Sequence, residues 1–468
     1  MMSKFVGRHA ELTRLRTLYD LKKSSLVVVK GRRRIGKSRL VAEFASQVQL
    51  GRFFNFSGLA PIEGLTAQDQ RDHFAKKLGT HFEDWSDGFS KLSKELKPGD
   101  VVLFDEISWM GLKDPTFVPK LKAWWDTISL HQPHLLVVFC GSVSTWIEEN
   151  ILNSTAFFGR VSLAISLEPF SIPQAAQFLR KIGFKGSPYE QYQILSTLGG
   201  VPWYLEQINP RLMAGENIRQ LCLQKDALLL SEFGRIFHDL FNGTGSTYKK
   251  ILDVLAQGQK TLMQVRQAID FGMSGTLSQM MENLITAGFV HKHLQWSIAT
   301  GRSRKQSLYR LSDPYIRFYL KCIEPNRAQI EHGFYELTSA VLGFQVENLL
   351  LQNRALLLKK LGIRPSDFGQ DGPYRQSKTL RHEGCQIDYL VQTRTKNLFV
   401  CEFKLRSREL GPEIIEEVQE KIRRFSAPRG FAVVPVLFHL GDVSEAVYTS
   451  NYFYQIIDIA EFLEEASC

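Results

Sequence analysis

The sequence predicts an α/β protein of several domains, led by a parallel sheet with helices on both faces, and three observations carry that expectation. Five short apolar runs punctuate the first 170 residues: Leu26–Lys30, Arg52–Phe56, Val101–Phe104, Leu135–Cys140 and Val161–Leu167. Amphipathic or polar stretches separate them, the pattern of strands buried on both sides within βαβ units. The first run flows into a glycine-rich turn and then a helical stretch. The chain has 468 residues, and at ~150 residues per domain that length suggests about three domains.

Composition narrows the classes. Apolar residues make up 44% and charged residues 23%, an ordinary globular mix that excludes collagen-like, disordered and membrane-spanning chains. No apolar run approaches the ~18 residues of a membrane span, and the opening MMSKFVGR lacks the apolar core of a secretory signal. The six cysteines (140, 222, 322, 385, 401 and 468) form no CxxC pair and no Cys/His cluster. A disulfide scaffold or zinc site is therefore not expected, and a cytoplasmic location is. Lysine and arginine exceed aspartate and glutamate by 58 − 48 = 10, an excess compatible with a nucleic-acid partner.

The glycine-rich turn is Gly31-Arg32-Arg33-Arg34-Ile35-Gly36-Lys37-Ser38, which fits G-x-x-x-x-G-K-[ST] at every fixed position. Gly31 and Gly36 let the backbone curl so that successive amides point at phosphate oxygens. The helix starting near Lys37 adds its positive dipole end. Lys37 is expected to reach the β- and γ-phosphates and the Ser38 hydroxyl to hold Mg²⁺. Leu40, Val41, Phe44 and Val48 recur at helical spacing behind it, so ATP with Mg²⁺ is the expected ligand.

The third run ends in Asp105-Glu106. A carboxylate at the end of a buried strand beside a phosphate loop suits Mg²⁺ ligation by Asp105, and Glu106 is placed to polarise the attacking water. The fourth run ends at Cys140-Gly141-Ser142, where Ser142 is either a γ-phosphate sensor or an ordinary strand-end residue. Arg160, just before the fifth run, is a candidate for stabilising transition-state charge in its own site or in a neighbouring subunit of an oligomer. Otherwise it is a plain surface cation.

On these residues the chain resembles the archaeal-type ATPase family, a branch of the AAA-related, STAND-like P-loop NTPases. The segment Phe5-Val6-Gly7-Arg8…Glu11-Leu12 is similar to the family's entry motif, which lies against the adenine, and so implicates Arg8. Gly199-Gly200-Val201-Pro202 resembles the motif that pins a helical lid to the nucleotide, and so implicates Pro202. By spacing alone it reads as a turn between helices. One departure is that the family's acidic residue after Gly-Arg is His9 here, which puts a local salt bridge in question.

Residues 171–244 carry apolar positions at helical spacing, such as Ala175, Phe178, Leu179 and Ile182, and read as a small helical lid on the ATPase domain of 1–170. From 245 to 325 the expected order is three helices (Tyr248–Ala256, Leu262–Ile269, Leu277–Ala287) and then two strands near Val290–Gln295 and Ser307–Leu311. That is the order of a winged helix. Residues 245–330 hold 12 Lys/Arg against 5 Asp/Glu, a net +7. The basic tip Thr300–Lys305 suits phosphate contacts, which give affinity without sequence information. The third helix offers Ser274, Thr276, Ser278, Gln279, Glu282 and Asn283 but no lysine or arginine, so a packing role stays open beside DNA binding. Leu311–Phe318 resembles the family's exit from this domain.

The remaining residues, 326–468, contain a helix around Tyr335–Leu350 with Glu347 among apolar neighbours, then the strand Cys385–Val391 and its partner Leu398–Lys404. Period-2 alternation puts Glu402 and Lys404 on one face, and the hairpin brings Asp388 within reach. Carboxylates that bind Mg²⁺ beside a lysine that neutralises developing charge are the chemistry of metal-dependent phosphodiester cleavage. The pattern is similar to the PD-(D/E)xK nuclease superfamily. Glu347 matches the leading helix acid, Asp388 the first strand acid, and Glu402 and Lys404 the E-x-K. Gln419, on the expected helix Pro412–Arg424, falls where related nucleases place a polar residue near metal and DNA. Ile363–Arg381, rich in Gly and Pro, reads as a loop, and Glu413, Glu416, Glu417 and Glu420 as a solvated acidic face.

Three functions remain in competition. One is an ATP-switched nuclease on DNA, and another is an ATP-driven DNA-binding switch with a silent nuclease-like domain. In the third, the basic wing docks an acidic protein partner.

Overall fold

The computed structural model describes all residues except 1–4, 49–50, 143–144, 242–244, 273–274, 338, 377, 379–382, 407 and 465–468. Ser274, Arg381, Cys468 and the opening four residues thus lie outside the described residues. The chain divides into two compact units, Met1–Pro169 and Phe170–Cys468.

The first unit is a five-stranded, all-parallel sheet: β1 (Ser25–Gly31), β2 (Phe53–Ser57), β3 (Val101–Asp105), β4 (Leu136–Ser142) and β5 (Val161–Ser166), in the order β2-β3-β4-β1-β5. Alternation along β1 sends Leu26 and Val28 to a core with Phe56, Phe104 and Phe139, and sends Val27 and Val29 to a second core with Leu40, Val41 and Phe44. Both faces are covered, which is why the strands read as unbroken apolar runs. Register places the carboxyl ends of β1, β3 and β4 side by side, with Gly31 opposite Ser142 and Phe104 opposite Phe139. Ligands of open parallel sheets bind at such ends.

The second unit begins with the helices Ile172–Lys181 and Pro188–Leu198. The latter is opened by a capping box in which Ser187 and Glu190 satisfy each other's backbone amides. These helices are bonded to the C-terminal part of the same unit. The Tyr192 hydroxyl donates to Ile459 O at 2.7 Å, and Gln345 Nε2 donates to Ser196 O at 3.2 Å and Pro314 O at 2.9 Å.

Next come the helices Gly245–Ala256, Leu262–Ala268 and Thr276–Thr286, with a three-stranded sheet of β6 (Lys260–Thr261), β7 (Val290–Trp296) and β8 (Ser303–Leu311) in the antiparallel order β6-β8-β7. The hairpin is longer than expected: Ser303, Arg304 and Lys305 belong to β8, which leaves a short turn as the tip.

A second five-stranded sheet closes the chain. Its strands are β9 (Phe368–Gln376), β10 (Cys385–Thr393), β11 (Asn397–Leu405), β12 (Ala432–Leu440) and β13 (Gln455–Asp458), in the order β13-β12-β11-β10-β9. β9, β10 and β11 are antiparallel neighbours, while β11, β12 and β13 run parallel. The helix Glu413–Arg424 makes the crossover from β11 to β12. β9 corrects the expectation of a loop over 363–381. Its Gly369, Gly372 and Pro373 read as loop residues, but among the described residues β9 is an edge strand paired with β10, and an edge tolerates proline and a bulged register.

The five described cysteines are free and buried. Among the described residues no helix is long and apolar enough to cross a membrane.

Candidate functional site

In the first unit the chain leaves β1 at Gly31 and turns back into the helix Lys37–Gln47 at Gly36. Gly31 has φ 152°, and a Cβ there would sit 2.6 Å from the Leu167 carbonyl oxygen. Gly36 caps the helix at φ 91°, a conformation that favours glycine, with open space where a Cβ would point. Lys37 is buried, and its ammonium donates to the loop's own carbonyls, Gly31 O at 3.1 Å and Arg32 O at 3.3 Å.

The next residue joins the loop to β3: the Ser38 hydroxyl donates to Asp105 Oδ2 at 2.6 Å. Burial pushes the Asp105 carboxyl above its ordinary value; the Ser38 hydrogen bond opposes that, and neighbouring Glu106 adds to it. Glu106 itself takes a left-handed backbone, φ 47°, at the start of the short helix Ile107–Met110. Its carboxylate accepts from Ser142 at the end of β4, from the amide at 3.1 Å and from the hydroxyl at 3.0 Å. Gly31, Gly36, Lys37, Ser38, Asp105, Glu106 and Ser142 therefore cluster around the carboxyl ends of β1, β3 and β4.

Two expected residues are placed more specifically than the sequence indicated. Arg8 is buried, donating to Glu11 Oε1 at 3.2 Å, to Ile35 O of the phosphate loop at 3.4 Å and to Glu168 O at 2.7 Å. Glu11, one turn into the helix His9–Asp20, supplies the acid that His9 does not. Arg160 forms a two-point ion pair with Asp126, at 2.5 Å and 3.0 Å, and Lys122 shares that acid. Those bonds, with Lys122, hold the Asp126 carboxyl down to about 2.

Pro202, in the second unit, is the first residue of the short helix Pro202–Leu205. Before it, Gly199 has φ 68°, and Gly200 O accepts from Phe170 N at 2.7 Å. A Cβ on Gly200 would lie 2.0 Å from Phe170 O, so the turn admits no side chain there.

The second unit gathers the other candidates on β10 and β11. β10 pairs with β11 from Tyr389 onward, opposite Cys401. Asp388 lies just beyond that paired stretch, and its Oδ2 accepts from Phe403 N at 3.0 Å. Glu402 is buried, and both its oxygens face ammonium groups: Lys404 Nζ at 3.1 Å from Oε1 and Lys421 Nζ at 2.5 Å from Oε2. Lys421 also stands 4.0 Å from Asp388 Oδ1, and Lys404 donates to Glu417 at 2.6 Å. Burial raises Asp388, and the nearby Glu402 charge raises it further against the pull of Lys421. Glu347, on the helix Ser339–Gln352, is likewise raised by burial, opposed by the Arg317 and Arg310 charges.

Among the described residues no three Asp, Glu, His or Cys side chains form a ready metal cage. Asp388 and Glu402 thus meet at one lysine, while Glu347, Asp388 and Glu402 are not gathered as a common ligand set. A cleft of about 340 Å³ adjoins Asp388 and Lys421, lined also by Gln386, Glu420 and Arg424 among others.

Two expectations are corrected here. Gln419 is exposed on the helix Glu413–Arg424, and Lys421 is the residue of that helix that enters the site. The acidic face of the same helix is not merely solvated, since Glu417 binds Lys404 and Glu420 binds Arg423 and Arg424. The sequence signal for Lys421 was its position three residues after Val418, beside the apolar stripe Ile414, Val418, Ile422 and Phe425. A lysine there turns toward the sheet.

Comparison with known proteins matches residues 5–208 to a family described as an ATPase domain predominantly from Archaea. An uncharacterised protein of Methanocaldococcus jannaschii is 24% identical over 437 residues, covering 90% of this chain and 92% of the relative. Among solved structures, a Walker-type ATPase of Pyrococcus abyssi is similar with a TM-score of 0.50 and 16% identity, over 68% of this chain and 97% of that one. The Aeropyrum pernix Orc1 protein, solved in complex with DNA, is similar at a TM-score of 0.33 and 14% identity, over 70% of this chain and 95% of that one. Residues 5–208 are thus similar to an ATPase domain, and the chain has an α/β fold.

Proposed function

We propose that the chain is a Mg²⁺-dependent ATPase that works as a nucleotide switch on DNA. The observation that carries this reading is the Ser38–Asp105 contact beside the buried ammonium of Lys37. A hydroxyl and a carboxylate oxygen 2.6 Å apart are hard donors of the kind Mg²⁺ takes, so the residues fit the ion. Ser38 and Asp105 would hold Mg²⁺, which would supply neutralisation of phosphate charge when bound with ATP.

The remaining steps belong to the chain. Lys37 exchanges the Gly31 and Arg32 carbonyls for phosphate oxygens, which carry full negative charge. Glu106 orients the attacking water and takes its proton. Ser142, which donates to Glu106 from amide and hydroxyl, reports occupancy of the site to that base. Arg8, bonded to Ile35 O and Glu168 O, braces the loop at the adenine side. Arg160 would serve a neighbouring subunit only by leaving Asp126.

In the second unit, three helices followed by the β7–β8 hairpin support a winged helix over 245–325, and the exposed Arg302 and Arg304 of the hairpin, rather than the buried Arg310 and Arg317, support DNA as its partner. Residues 171–244 are read as the lid and 326–468 as a nuclease-like domain. The β10–β11 hairpin, the crossover helix and the placement of Asp388, Glu402 and Lys404 support metal-dependent phosphodiester cleavage. A second reading, a silent nuclease-like platform, is favoured by the two ammonium groups on Glu402.

Plasmid cleavage with Mg²⁺ or Mn²⁺, with and without ATP, separates these readings. Cutting lost in Glu402→Ala and altered in Lys37→Ala supports a nucleotide-controlled nuclease. Intact ATP turnover with no cutting leaves the switch.

A further inference from the structure

Lys421 occupies a place that no expected site residue occupies. It projects from the sheet-facing side of the helix Glu413–Arg424, whose Ile414 and Val418 are buried. Its ammonium ends between the two strand acids, 2.5 Å from Glu402 Oε2 and 4.0 Å from Asp388 Oδ1. Lys404 takes the other Glu402 oxygen, and the Phe403 amide takes the other Asp388 oxygen. All four carboxylate oxygens of the pair therefore face a donor or a cation of the chain itself. Glu402 is only 3% exposed, so its charge cannot be left to water and needs a partner in place.

We propose that Lys421 is an internal counter-cation that holds the divalent-metal position of this site closed. Asp388 and Glu402 would hold the ion, and Lys421, whose ammonium faces both, would have to withdraw from them for it to bind. The inference rests on the reading of Asp388 and Glu402 as metal ligands.

The chemistry favours lysine for this role. A single charge on a flexible four-carbon stem satisfies the two acids, yet leaves with fewer fixed bonds than a guanidinium fork. The cleft beside it is lined by Gln386, Arg424 and Glu420, and Arg424 is ion-paired with Glu420 at 2.7 Å. A phosphodiester lying there would draw the Lys421 ammonium outward as a charge partner, so metal and nucleic acid would load together. Lys404 has a second acid in Glu417 and remains in place throughout.

The test is calorimetric titration of Mn²⁺ into the full chain without nucleotide, so that the phosphate-loop ion is not loaded. Wild type is compared with Lys421→Met, Lys421→Gln and Lys421→Arg, with thermal melts confirming that each is folded. Removal of the charge is expected to tighten Mn²⁺ binding about tenfold, because the closed state no longer competes. Lys421→Gln, which still donates to Glu402, should show the same gain if Lys421→Met fails to fold, and Lys421→Arg should stay near wild type. Combining Lys421→Gln with Glu402→Gln should abolish the gain.

Equal affinity in wild type and Lys421→Gln, or no binding by either, would overturn the proposal. Adding a short DNA duplex should tighten Mn²⁺ binding to wild type and leave Lys421→Gln unchanged; the same tightening in both would also overturn it. Its failure is distinguishable from that of the cleavage reading. Tighter Mn²⁺ binding without plasmid cutting leaves the gate standing and removes the nuclease, whereas cutting with equal affinities removes the gate alone.

Discussion

Glu106 and Ser142 hold each other across adjacent strands: the carboxylate that follows β3 accepts both the amide and the hydroxyl of the last residue of β4. The residue proposed to activate water and the residue proposed to sense the γ-phosphate are thereby one hydrogen-bonded unit. The left-handed backbone of Glu106, φ 47°, turns the carboxylate to that position. Its carbonyl oxygen lies so close to Gly58 that a Cβ on Gly58 would sit 2.7 Å from it.

Ser142→Ala removes the hydroxyl donor and leaves the amide. Glu106 should lose its fixed orientation, and because small misplacements of a catalytic group are costly, kcat for ATP should fall by about 10²-fold. KM should change little, since the P-loop contacts are untouched. Steady-state phosphate release against ATP concentration separates the two parameters, and an unchanged kcat would assign Ser142 to the strand end alone.

Much of the first unit was legible because its signals are local. Gly31–Ser38 and Asp105-Glu106 are contiguous strings whose chemistry depends on a strand–loop–helix context that the flanking apolar runs already announce. Ser142 was legible as a strand tip, but its bond to Glu106 depends on β3 and β4 being neighbours, and spacing along the chain does not carry that order. The second unit was harder for the same reason. β9 was hidden because edge pairing tolerates the Gly and Pro that normally mark a loop. Lys421 was hidden because its partners, Glu402 and Asp388, lie 19 and 33 residues away on two other elements. Arg310 and Arg317 likewise took on meaning through neighbours distant in sequence, Glu347 among them.

The basic hairpin predicts a measurable salt dependence. Arg302 and Arg304 lie at the turn of β7 and β8 and at the start of β8. If each neutralises one DNA phosphate, the double substitution Arg302→Ala/Arg304→Ala should lower the slope of log K against log salt by about 2. It should weaken binding to unrelated duplexes alike. Fluorescence anisotropy at several salt concentrations measures this, and an unchanged slope would remove the wing from the DNA interface.

His293 predicts acid sensitivity. Its Nε2 accepts from Arg310 Nε at 3.3 Å, so the ring is neutral with its proton on Nδ1. Burial first, and then the Arg310 charge, hold its pKa down to about 2 against an ordinary 6.5. Below pH 6.5 the unfolded chain therefore takes up a proton that the folded chain refuses. The sign follows: stability is level above pH 7 and is lost as pH falls from 6.5 toward 2, by about 1.4 kcal/mol per pH unit. His293→Gln keeps an acceptor and does not titrate, so between pH 7 and pH 5 it should lose about 2 kcal/mol less than wild type. Urea unfolding at both pH values checks this, and equal losses would refute it.

ATP turnover is the most direct test of the ATPase reading: phosphate release from ATP and Mg²⁺ by wild type, Lys37→Ala and Glu106→Gln, alongside binding of a fluorescent ATP analogue. With Glu106 as the base that activates water, Glu106→Gln should bind nucleotide as wild type does and hydrolyse it about 10²- to 10⁴-fold more slowly. Lys37→Ala should lose both binding and turnover. Hydrolysis by Glu106→Gln at the wild-type rate, or undiminished binding by Lys37→Ala, would contradict the assignment of this site.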